Sequence, residues 1–442
     1  MPTRIIAPPR PSPVLRRVQT TLTAVRARTT ARAAPAAQAG PRRIVRINRQ
    51  GQLGNRMIQH LAALTTAEGL PDCVIEGEGL PEWGVRHSVP SARAPDLVFH
   101  DHDFDLALAR RRLRRPQGAC VQILGYAQDC ALFGPVERAR RVFQPPAAYD
   151  HVQGFGDDTL VINTRAGEIE SAIHPDYVLL PAEYYRHLVQ STGLKPVVFG
   201  QISDTPYFRR LRELFPEAPF IQGQGAMADF VTLMRSRHIV CAVSTFSYMA
   251  AWLSEARTIH LPAVGLFNPR QASGQVLIPR NDRRYRLWWF PITRAVPPEA
   301  VLDAHARLRG LWRETTAQSL LAAHAAELAR SRPPWRRSDA LAALREAEYL
   351  HMHPDVAQAV GARPSASARR HFRLCGLREG RRPLWLDPLA YFAAHPEAAD
   401  AVARGDYADA LHHYIAVGRR RGLSPGPRPA WAEDAGEGEP PA

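Results

Sequence analysis

The chain has 442 residues, enough for two or three domains, and 45% of them are hydrophobic, enough for a sizeable core. Its formal net charge of +15 is typical of a polyanion-binding protein, but residues 1–50 hold eleven arginines and no acidic residue. The rest of the chain has 46 basic and 42 acidic residues, a net charge of +4, which excludes a general need for a nucleic-acid partner. Nucleic-acid binding by the arginine-rich arm alone stays a separate hypothesis.

The cysteine content and the hydropathy of the sequence predict a cytoplasmic location for the protein. Five cysteines, an odd number without metal-ligand spacing, predict reduced thiols. No apolar run approaches the length of a membrane span, so membrane contact is at most peripheral. Residues 1–43, rich in Pro, Ala and Arg, and residues 425–442, rich in Pro, Gly and Glu, are predicted to be disordered. The composition of residues 1–43 also resembles an organelle transit peptide, which is an open alternative.

The first predicted α/β segment, residues 44–155, begins with a strand, a glycine turn and a helix. RIVRINRQ alternates as a strand does, and MIQHLAALTTAEG has the apolar spacing of a helix. Between them, Gly51 and Gly54 would let a ligand or another backbone come close. A tight turn without a ligand is an equal alternative.

A polar cluster in the same segment, His100-Asp101-His102-Asp103, has residue types that bind metals. No further ligands follow at a useful spacing, so the favoured interpretation is a polar loop at the end of a strand. No metal site is therefore predicted.

The second predicted α/β segment, residues 156–295, begins after the linker GFGDDT with the buried strand of TLVINTRAGE. Strands then alternate with helices of about ten residues, the pattern of a parallel sheet with crossover helices. In such sheets ligands bind beyond the carboxyl ends of the strands. Polar residues that follow strands or open the next helix are predicted to converge there: Arg165, Asp204, Asp229 and the run Ser244-Thr245-Phe246-Ser247.

Within this segment, the run from Ile239 to Leu253 predicts a strand, a tight turn and a helix. Phe246, Ala250 and Leu253 share one helical face, and Ser244 stands where an N-cap is expected. Such a junction aims backbone N–H groups and the positive end of a helix dipole at one point, which suits a phosphate.

The C-terminal part is predicted to be helical. Residues 296–340 are interpreted as a helical connector, and residues 341–424 as two copies of a 42-residue helical repeat. Matched aromatic and histidine positions are expected to pack the two copies together. Six positions recur at this offset: Tyr349, Pro354, His371, Phe372, Gly376 and Gly380 match Tyr391, Pro396, His413, Tyr414, Gly418 and Gly422.

Several motifs resemble those of bacterial α-1,2-fucosyltransferases, glycosyltransferase family 11, in the same order over roughly residues 45–265. GQLGNRMIQH is similar to GGLGNQMFQY, NTRAGE to HxRRGD, LPAEYY to LPxDYY, and VFGQISD to a strand ending in FSDD. ADFVTLMRSRHIVCAVSTFSYMAAWL resembles the block with the family's N-S-[ST]-F-S turn. The C-terminal repeats resemble repeats that are often attached to bacterial glycosyltransferases.

The resemblance implies a GT-B architecture, in which two Rossmann-like domains face each other across a cleft and the C-terminal one holds most of GDP-fucose. It implies an inverting transfer of fucose to a glycan or glycoconjugate, with no metal and no cofactor besides the donor. The expected partners are a nucleotide sugar and a glycan acceptor, with a protein partner at the repeats as a further hypothesis.

The site residues carry over from the matched motifs, position by position. Arg165 matches the arginine that faces the donor diphosphate, and Glu168 is the nearest carboxylate, which either orients Arg165 or acts as the base. Asp229 matches the acidic residue near the nucleoside. The other matched positions are Gly54 and Asn55 of the glycine loop, Asn163 and Asp204 after strands, and Ser244, Thr245, Phe246 and Ser247 around the diphosphate.

Some positions depart from the family pattern. Asn163 replaces the histidine of HxRR, Ala166 its second arginine, and Arg56 the glutamine of GNQ. Tyr248-Met249 replaces the paired tryptophans behind the serine turn. The donor sugar and the acceptor therefore stay open, and the alternative function is a non-catalytic nucleotide-sugar-binding or scaffold protein that acts through its repeats.

Overall fold

The computed structural model describes most of the chain from Arg43 onwards. The arginine-rich arm up to residue 42 and most of the C-terminal tail, both expected to be disordered, lie outside the described residues, as does Glu168. No helix in the described part of the chain is both long enough and apolar enough to cross a membrane. The described residues are 43–167, 169–329, 333–361, 367–429 and 431.

The first part of the fold consists of four strands and three α-helices, which are β1 Arg43–Ile47, α1 Leu53–Ala67, β2 Cys73–Gly77, β3 Leu97–Phe99, α2 Leu106–Leu113, β4 Cys120–Ile123 and α3 Val136–Val142. The strands are all parallel and lie in the order β2-β1-β4-β3. Met57, Ile58 and Leu61 of α1 are fully buried. Because α1 begins at Leu53, Gly54 and Asn55 belong to its first turn rather than to the expected glycine loop.

The second part is a larger sheet with its helices, which are β5 Thr159–Thr164, α4 Ala182–Thr192, β6 Lys195–Gly200, α5 Pro206–Leu214, β7 Phe220–Gln222, α6 Ala226–Met234, β8 His238–Val240, α7 Thr245–Leu253, β9 Thr258–Ala263, β10 Tyr285–Trp289, α8 Val301–Leu308, β11 Arg313–Thr315 and α9 Ala317–Leu328. Its seven strands lie in the order β11-β10-β9-β8-β5-β6-β7, and only the pair of β10 and β11 is antiparallel. The α/β class with parallel sheets is therefore confirmed.

The expected helical connector, residues 296–340, is only partly helical. Its middle forms β11, which adds an edge strand beside β10, and β10 itself is absent from the predicted strands. Trp312, which leads into β11, is buried with its ring 5.7 Å from that of Tyr184. Burial of these aromatic rings against the sheet outweighs the helical pattern of the surrounding sequence, so the prediction is wrong at this point.

The two sheets contact each other directly. The first turns of α1 and α7 meet so closely that a Cβ on Gly54 would lie 2.6 Å from the backbone nitrogen of Phe246 and 2.6 Å from the carbonyl carbon of Thr245. The rings of Trp83 and Phe230 also meet across the boundary, with 5.3 Å between their centroids. The expected two-domain arrangement is therefore not confirmed, since one apolar core runs through both parts.

The C-terminal part consists of short helices, which are α10 Arg337–Ala343, α11 Glu346–Met352, α12 Pro354–Gly361, α13 Ala368–His371, α14 Pro388–Ala394, α15 Pro396–Arg404 and α16 Ala410–His413. The Tyr349 hydroxyl lies 3.0 Å from His371 Nδ1, and the Tyr391 hydroxyl lies 2.8 Å from His413 Nδ1. Each bond joins two helices of one copy. The expectation that these residues pack the two copies together is therefore wrong, because each histidine folds back onto the tyrosine of its own copy.

The two predicted copies differ in their surroundings. Tyr349 and Phe372 belong to a small separate core, whereas Tyr391 and Tyr414 are part of the main core of the protein. The same contact between a tyrosine and a histidine thus lies beside a small separate core in the first predicted copy and beside the main core in the second.

Candidate functional site

The carboxyl ends of β5, β6 and β7 form one continuous edge because hydrogen bonds join them. The buried Asn163 donates from Nδ2 to the Phe199 carbonyl oxygen at 3.1 Å. The Gly223 N–H donates to the Gly200 carbonyl oxygen at 2.8 Å. Asn163, at the position of the family histidine, therefore helps to hold the edge on which the other candidate residues lie.

Arg165 follows β5 directly and is half-buried at this edge. Its guanidinium carbon lies 5.9 Å from the centre of the Tyr177 ring, which is a cation–π distance. The next residue, Ala166, donates its N–H to Gln201 Oε1 at 3.1 Å and so fixes the loop. The structure thus places the cation of Arg165 beyond the end of β5.

The serine-rich turn before α7 is built as an N-cap. Ser244 accepts a hydrogen bond from the Ser247 N–H at 3.1 Å, and the Ser247 hydroxyl accepts one from the Ala242 N–H at 3.1 Å. Both serines are buried. Their hydroxyls therefore fold the turn, and the groups left for an anion are backbone N–H groups of the first helical turn, which have no partner inside a helix.

Thr245 and Phe246 open α7 at the same point. Thr245 is buried against the first turn of α1, and the Phe246 ring packs on Phe230 with 5.3 Å between centroids. Gly54 is the residue that permits this approach, since any side chain there would collide with the backbone of the turn. The helix N-terminus is therefore held by both parts of the fold.

Asp229, in the first turn of α6, lines a cavity of about 330 Å³ beside β6 and β7. Its carboxylate accepts a hydrogen bond from the Gln224 N–H at 2.8 Å. Burial raises the pKa of the Asp229 carboxyl group, and backbone N–H groups partly oppose the shift. Other lining residues include the flat rings of Phe155 and Phe199 and the amide of Gln222. These aromatic, amide and carboxylate groups are of the kind that holds a planar polar ring.

Asn55 and Arg56 of α1 form hydrogen bonds with other residues of the first part of the fold. Asn55 is buried and its Oδ1 accepts from Gln128 Nε2 at 2.8 Å. Arg56 forms an ion pair with Glu82 at 2.8 Å and donates to the Gly79 carbonyl oxygen at 2.8 Å. Arg56, which replaces the family glutamine, therefore anchors a neighbouring loop.

Asp204 lies in the loop after β6, but its side chain is 85% exposed and pairs with Arg209 of α5. The structure therefore does not bring the Asp204 side chain close to the side chains of the other candidate residues. Glu168 falls outside the described residues, so its place relative to Arg165 stays a prediction. Within the described residues, no cluster of three or more His, Cys, Asp or Glu side chains could hold a metal.

A larger cavity, of about 730 Å³, lies at the opposite end of α7. Arg140 and Arg284 line it, and they donate to the carbonyl oxygens of Leu253 and Trp252, respectively. These arginines cap the C-terminus of the helix. The cavity is therefore remote from the strand ends at which the candidate residues meet.

Three residues that are not predicted from the sequence as site residues contact Arg165, its loop and Asn55: these are Tyr177, Gln201 and Gln128, respectively. Tyr177 and Gln128 lie in loops without periodicity or a motif of their own. Gln201 lies in the VFGQISD motif directly after β6, so its position after a strand could have singled it out.

Comparison with known proteins assigns no family to the chain. No family model matches it, and no curated protein matches it. Among solved structures, the E. coli heptosyltransferase WaaC with ADP has a TM-score of 0.29 and 15% identity, covering 59% of this chain and 96% of that one. A glycosyl transferase family 9 protein from Veillonella parvula has a TM-score of 0.33 and 13% identity, covering 62% of this chain and 94% of that one.

A third similar structure is a mutant of FUT1 from Arabidopsis thaliana in complex with GDP. It has a TM-score of 0.33 and 13% identity, covering 61% of this chain and 78% of that one. All three TM-scores are below 0.5, so these similarities carry no information about the function of this chain.

Proposed function

We propose that the protein is an inverting, metal-independent glycosyltransferase that moves a sugar, fucose from GDP-fucose, to a hydroxyl group of a glycan or glycoconjugate. The observation that carries this proposal is the arrangement at one sheet edge. There the cation of Arg165, the N-terminus of α7 and the cavity of Asp229 all lie beyond carboxyl ends of strands.

The charge at this edge suits the departure of a nucleoside diphosphate. When the bond between the sugar and the diphosphate breaks, negative charge develops on the leaving oxygen. A guanidinium group and a helix N-terminus are fixed positive elements that stabilise such charge where it forms. Arg165 is held by its loop and the α7 turn by its own serines, so neither has to rearrange during the reaction.

The cavity of Asp229 supports a guanine nucleotide. Guanine presents two neighbouring N–H donors on its pairing edge, which a carboxylate can accept together. The rings of Phe155 and Phe199, whose centroids are 5.9 Å apart, supply faces on which a base can pack. A carboxylate beside aromatic rings is a poorer match for uracil, which offers one such donor.

The central test is turnover of GDP-fucose by the purified protein in the presence of a metal chelator. We expect Arg165→Ala to lower kcat about 10²- to 10³-fold, since it removes a fixed stabiliser of the developing charge. Arg286→Ala, at an exposed arginine of β10 paired with Glu314, serves as the matched control. A rate of Arg165→Ala equal to that of the wild type would exclude the role of Arg165.

Calorimetry with GDP separates catalysis from binding alone. If GDP binds but no sugar nucleotide of a broad panel is turned over, the protein is a nucleotide-sugar-binding or scaffold protein that acts through its repeats. If GDP, ADP and UDP all fail to bind, the nucleotide-dependent function is excluded altogether.

A further inference from the structure

A further cavity, of about 370 Å³, lies where loops of the two sheets meet. The loops after β3 and β4 form one wall, and the loops after β5 and β9 form the other. Its volume is within the range of small-ligand sites, and its walls carry imidazole, amide, phenol and carboxylate groups. The lining residues used below are His102, Tyr126, Gln128, His174, Asp176 and Gln271.

The backbone around this cavity is strained. Within the described residues, only three non-glycine residues have a positive φ, and all three lie beside lining residues of this cavity. Strained backbone persists where the surrounding structure enforces it, and it clusters at functional sites. The three are Asp101 with φ 45° next to His102, Ala127 with φ 50° next to Gln128, and Ala172 with φ 51° two residues before His174.

The cavity adjoins the proposed donor site at two points. Tyr177 lines it, and the ring of Tyr177 lies 5.9 Å from the guanidinium carbon of Arg165. Gln128 lines it as well and donates to Asn55 Oδ1 at 2.8 Å. A molecule in this cavity would therefore contact residues that also touch Arg165 and Asn55 of the proposed donor site.

Two of the titratable side chains in the cavity, His174 and Asp176, are engaged in hydrogen bonds. His174 Nδ1 accepts a hydrogen bond from the Asp176 N–H at 3.2 Å, so the neutral ring carries its proton on Nε2 and can only donate there. The Asp176 carboxylate accepts from Gln271 Nε2 at 2.8 Å and lies 3.6 Å from Arg294. Both side chains can hold a polyhydroxylated ligand, and hydrogen bonds already fix their orientation.

His102 differs from these two groups. Its ring stacks on Tyr126, with 5.6 Å between centroids and 23° between planes, and its Nδ1 is buried without a hydrogen-bond partner in the described part of the chain. No bond to Nδ1 therefore dictates the tautomer, and the neutral ring can keep one nitrogen as an acceptor. Tyr126 holds the loop, since its N–H donates to the Asp101 carbonyl oxygen at 2.8 Å.

We propose that this cavity binds the terminal sugar of the acceptor and that His102 is the base that takes the proton from the attacking hydroxyl. This inference rests on the proposed glycosyltransferase function and assigns it a second site and a further catalytic residue.

The proposed step is balanced without any further reactant. The acceptor oxygen forms a bond to the anomeric carbon, and the bond from that carbon to the diphosphate oxygen breaks. The diphosphate leaves with the electron pair, next to Arg165 and the N-terminus of α7. The proton of the hydroxyl passes to a ring nitrogen of His102 and then to solvent.

The charged neighbours of His102 set the pH range of this step. Burial lowers the pKa of the His102 imidazole and His174 lowers it further, whereas Asp101 and Asp103 oppose the shift. The other titratable groups that line the cavity are Tyr126, Asp176 and Tyr177. A base must be unprotonated, so the rate is expected to fall as the pH drops through a value below 6.5, the ordinary pKa of histidine.

The decisive variant is His102→Gln, which can still form hydrogen bonds but cannot take a proton. Turnover of GDP-fucose is measured against pH, with water as the nucleophile and with methyl glycosides of galactose, glucose, mannose and N-acetylglucosamine as acceptors. We expect kcat to fall about 10²-fold or more, the donor KM and the affinity for GDP to stay unchanged, and the acid limb of the pH profile to disappear.

Three matched variants identify the base. His100→Gln changes an exposed histidine two residues away and should behave as the wild type, and His174→Gln should keep the acid limb. Glu168→Gln tests the carboxylate of the NTRAGE motif. A His102→Gln variant that keeps the acid limb and the wild-type kcat overturns the role of His102, whichever residue then proves to be the base.

Occupancy of the cavity is tested separately with Ser273→Trp, which fills it. Methyl glycosides should bind the wild type, as seen by saturation-transfer NMR with GDP present, and should not bind the variant, while both bind GDP alike. Equal binding to both, or no binding of any glycoside to the wild type, refutes the acceptor site. A wild type that binds no GDP refutes the proposed function instead.

Discussion

The two sheets present opposite chemistry at their shared boundary. Beyond the strands of the seven-stranded sheet lie a fixed cation, Arg165, and the N-terminus of α7, both suited to negative charge. Beyond the four-stranded sheet lie neutral groups, the imidazole of His102 and the amides of Gln128 and Asn55. In the proposed reaction one sheet stabilises the leaving diphosphate and the other binds the acceptor and removes its proton, so neither sheet suffices alone.

The largest expected effect comes from a change at the point where the two sheets touch. In Gly54→Ala the new Cβ would lie 2.6 Å from backbone atoms of Thr245 and Phe246, which cannot rotate away. We expect a loss of about 1–3 kcal/mol of stability, as for other overpacked sites, and a loss of turnover because both sites are displaced. Thermal unfolding and GDP-fucose turnover measure the two effects.

Gly361→Ala is the control for this change, because a Cβ there meets nothing within 4 Å. If Gly54→Ala unfolds and turns over like this control, the close approach of α1 and α7 does not exist in solution.

A smaller effect, confined to the donor side, is expected for Asp229→Asn. An amide can accept through only one oxygen and presents an N–H₂ group to the donors of guanine, so the affinity for GDP should fall about tenfold, or about 1.4 kcal/mol. Binding of methyl glycosides to the cavity of His102 should stay unchanged. Calorimetry with GDP and with ADP checks this, since a uniform loss for both nucleotides would contradict a role in base recognition.

A pH effect on stability is expected for the four-stranded part, where His60 is buried. Burial and the neighbouring His87 lower the pKa of His60 to about 3, and the two rings are joined by a 2.9 Å contact from Nδ1 to Nε2. The unfolded chain binds a proton near pH 6.5 and the folded chain does not, so this contribution to stability is lost as the pH falls from 6.5 towards 3.

In the experiment, the wild type should lose roughly 2 kcal/mol of stability from this group between pH 7 and pH 5. His60→Leu should lose less over the same interval, and His100→Leu, at an exposed position, should lose as much as the wild type. Denaturant unfolding at both pH values measures the differences. Parallel curves for all three proteins would contradict the assignment.

The smallest effect on function is expected in the repeats. Cβ atoms on Gly376 and Gly418 would meet the hydroxyls of Tyr349 and Tyr391, respectively. Gly418→Ala should lower the main unfolding temperature more than Gly376→Ala, because Tyr391 belongs to the main core and Tyr349 to a separate cluster. Neither should change the affinity for GDP, and a loss of GDP binding in either would link the repeats to the donor site.

Much of the fold could be predicted from short-range patterns of apolar residues in the sequence. Alternating apolar residues and helical spacing correctly indicate β1, β5 and α7, because each is specified by its own residues. β10 and β11 escape prediction because the partners that bury Trp312 lie far away in the chain. A local pattern carries no information about such contacts.

For the candidate site, the sequence predicted only which residues follow the ends of strands, and not what their side chains contact. Position after a strand singles out Arg165 and the turn at Ser244. It does not tell whether a hydroxyl group in this turn contacts a ligand or the backbone of the turn. The hydroxyls of Ser244 and Ser247 accept hydrogen bonds from backbone N–H groups. The cavity of His102 joins loops more than 150 residues apart, such as those of His102 and Gln271. No periodicity links such loops, so His102 itself could be noted only as part of a polar cluster.

Helix α7 has a mechanical consequence for the whole molecule. Its N-terminus rests on Gly54 of the four-stranded part, and at its C-terminus Arg140 of the same part donates to the Leu253 carbonyl oxygen at 2.9 Å. Because the neighbouring part contacts both ends of α7, the two sheets cannot separate unless the contacts at both ends of this helix break.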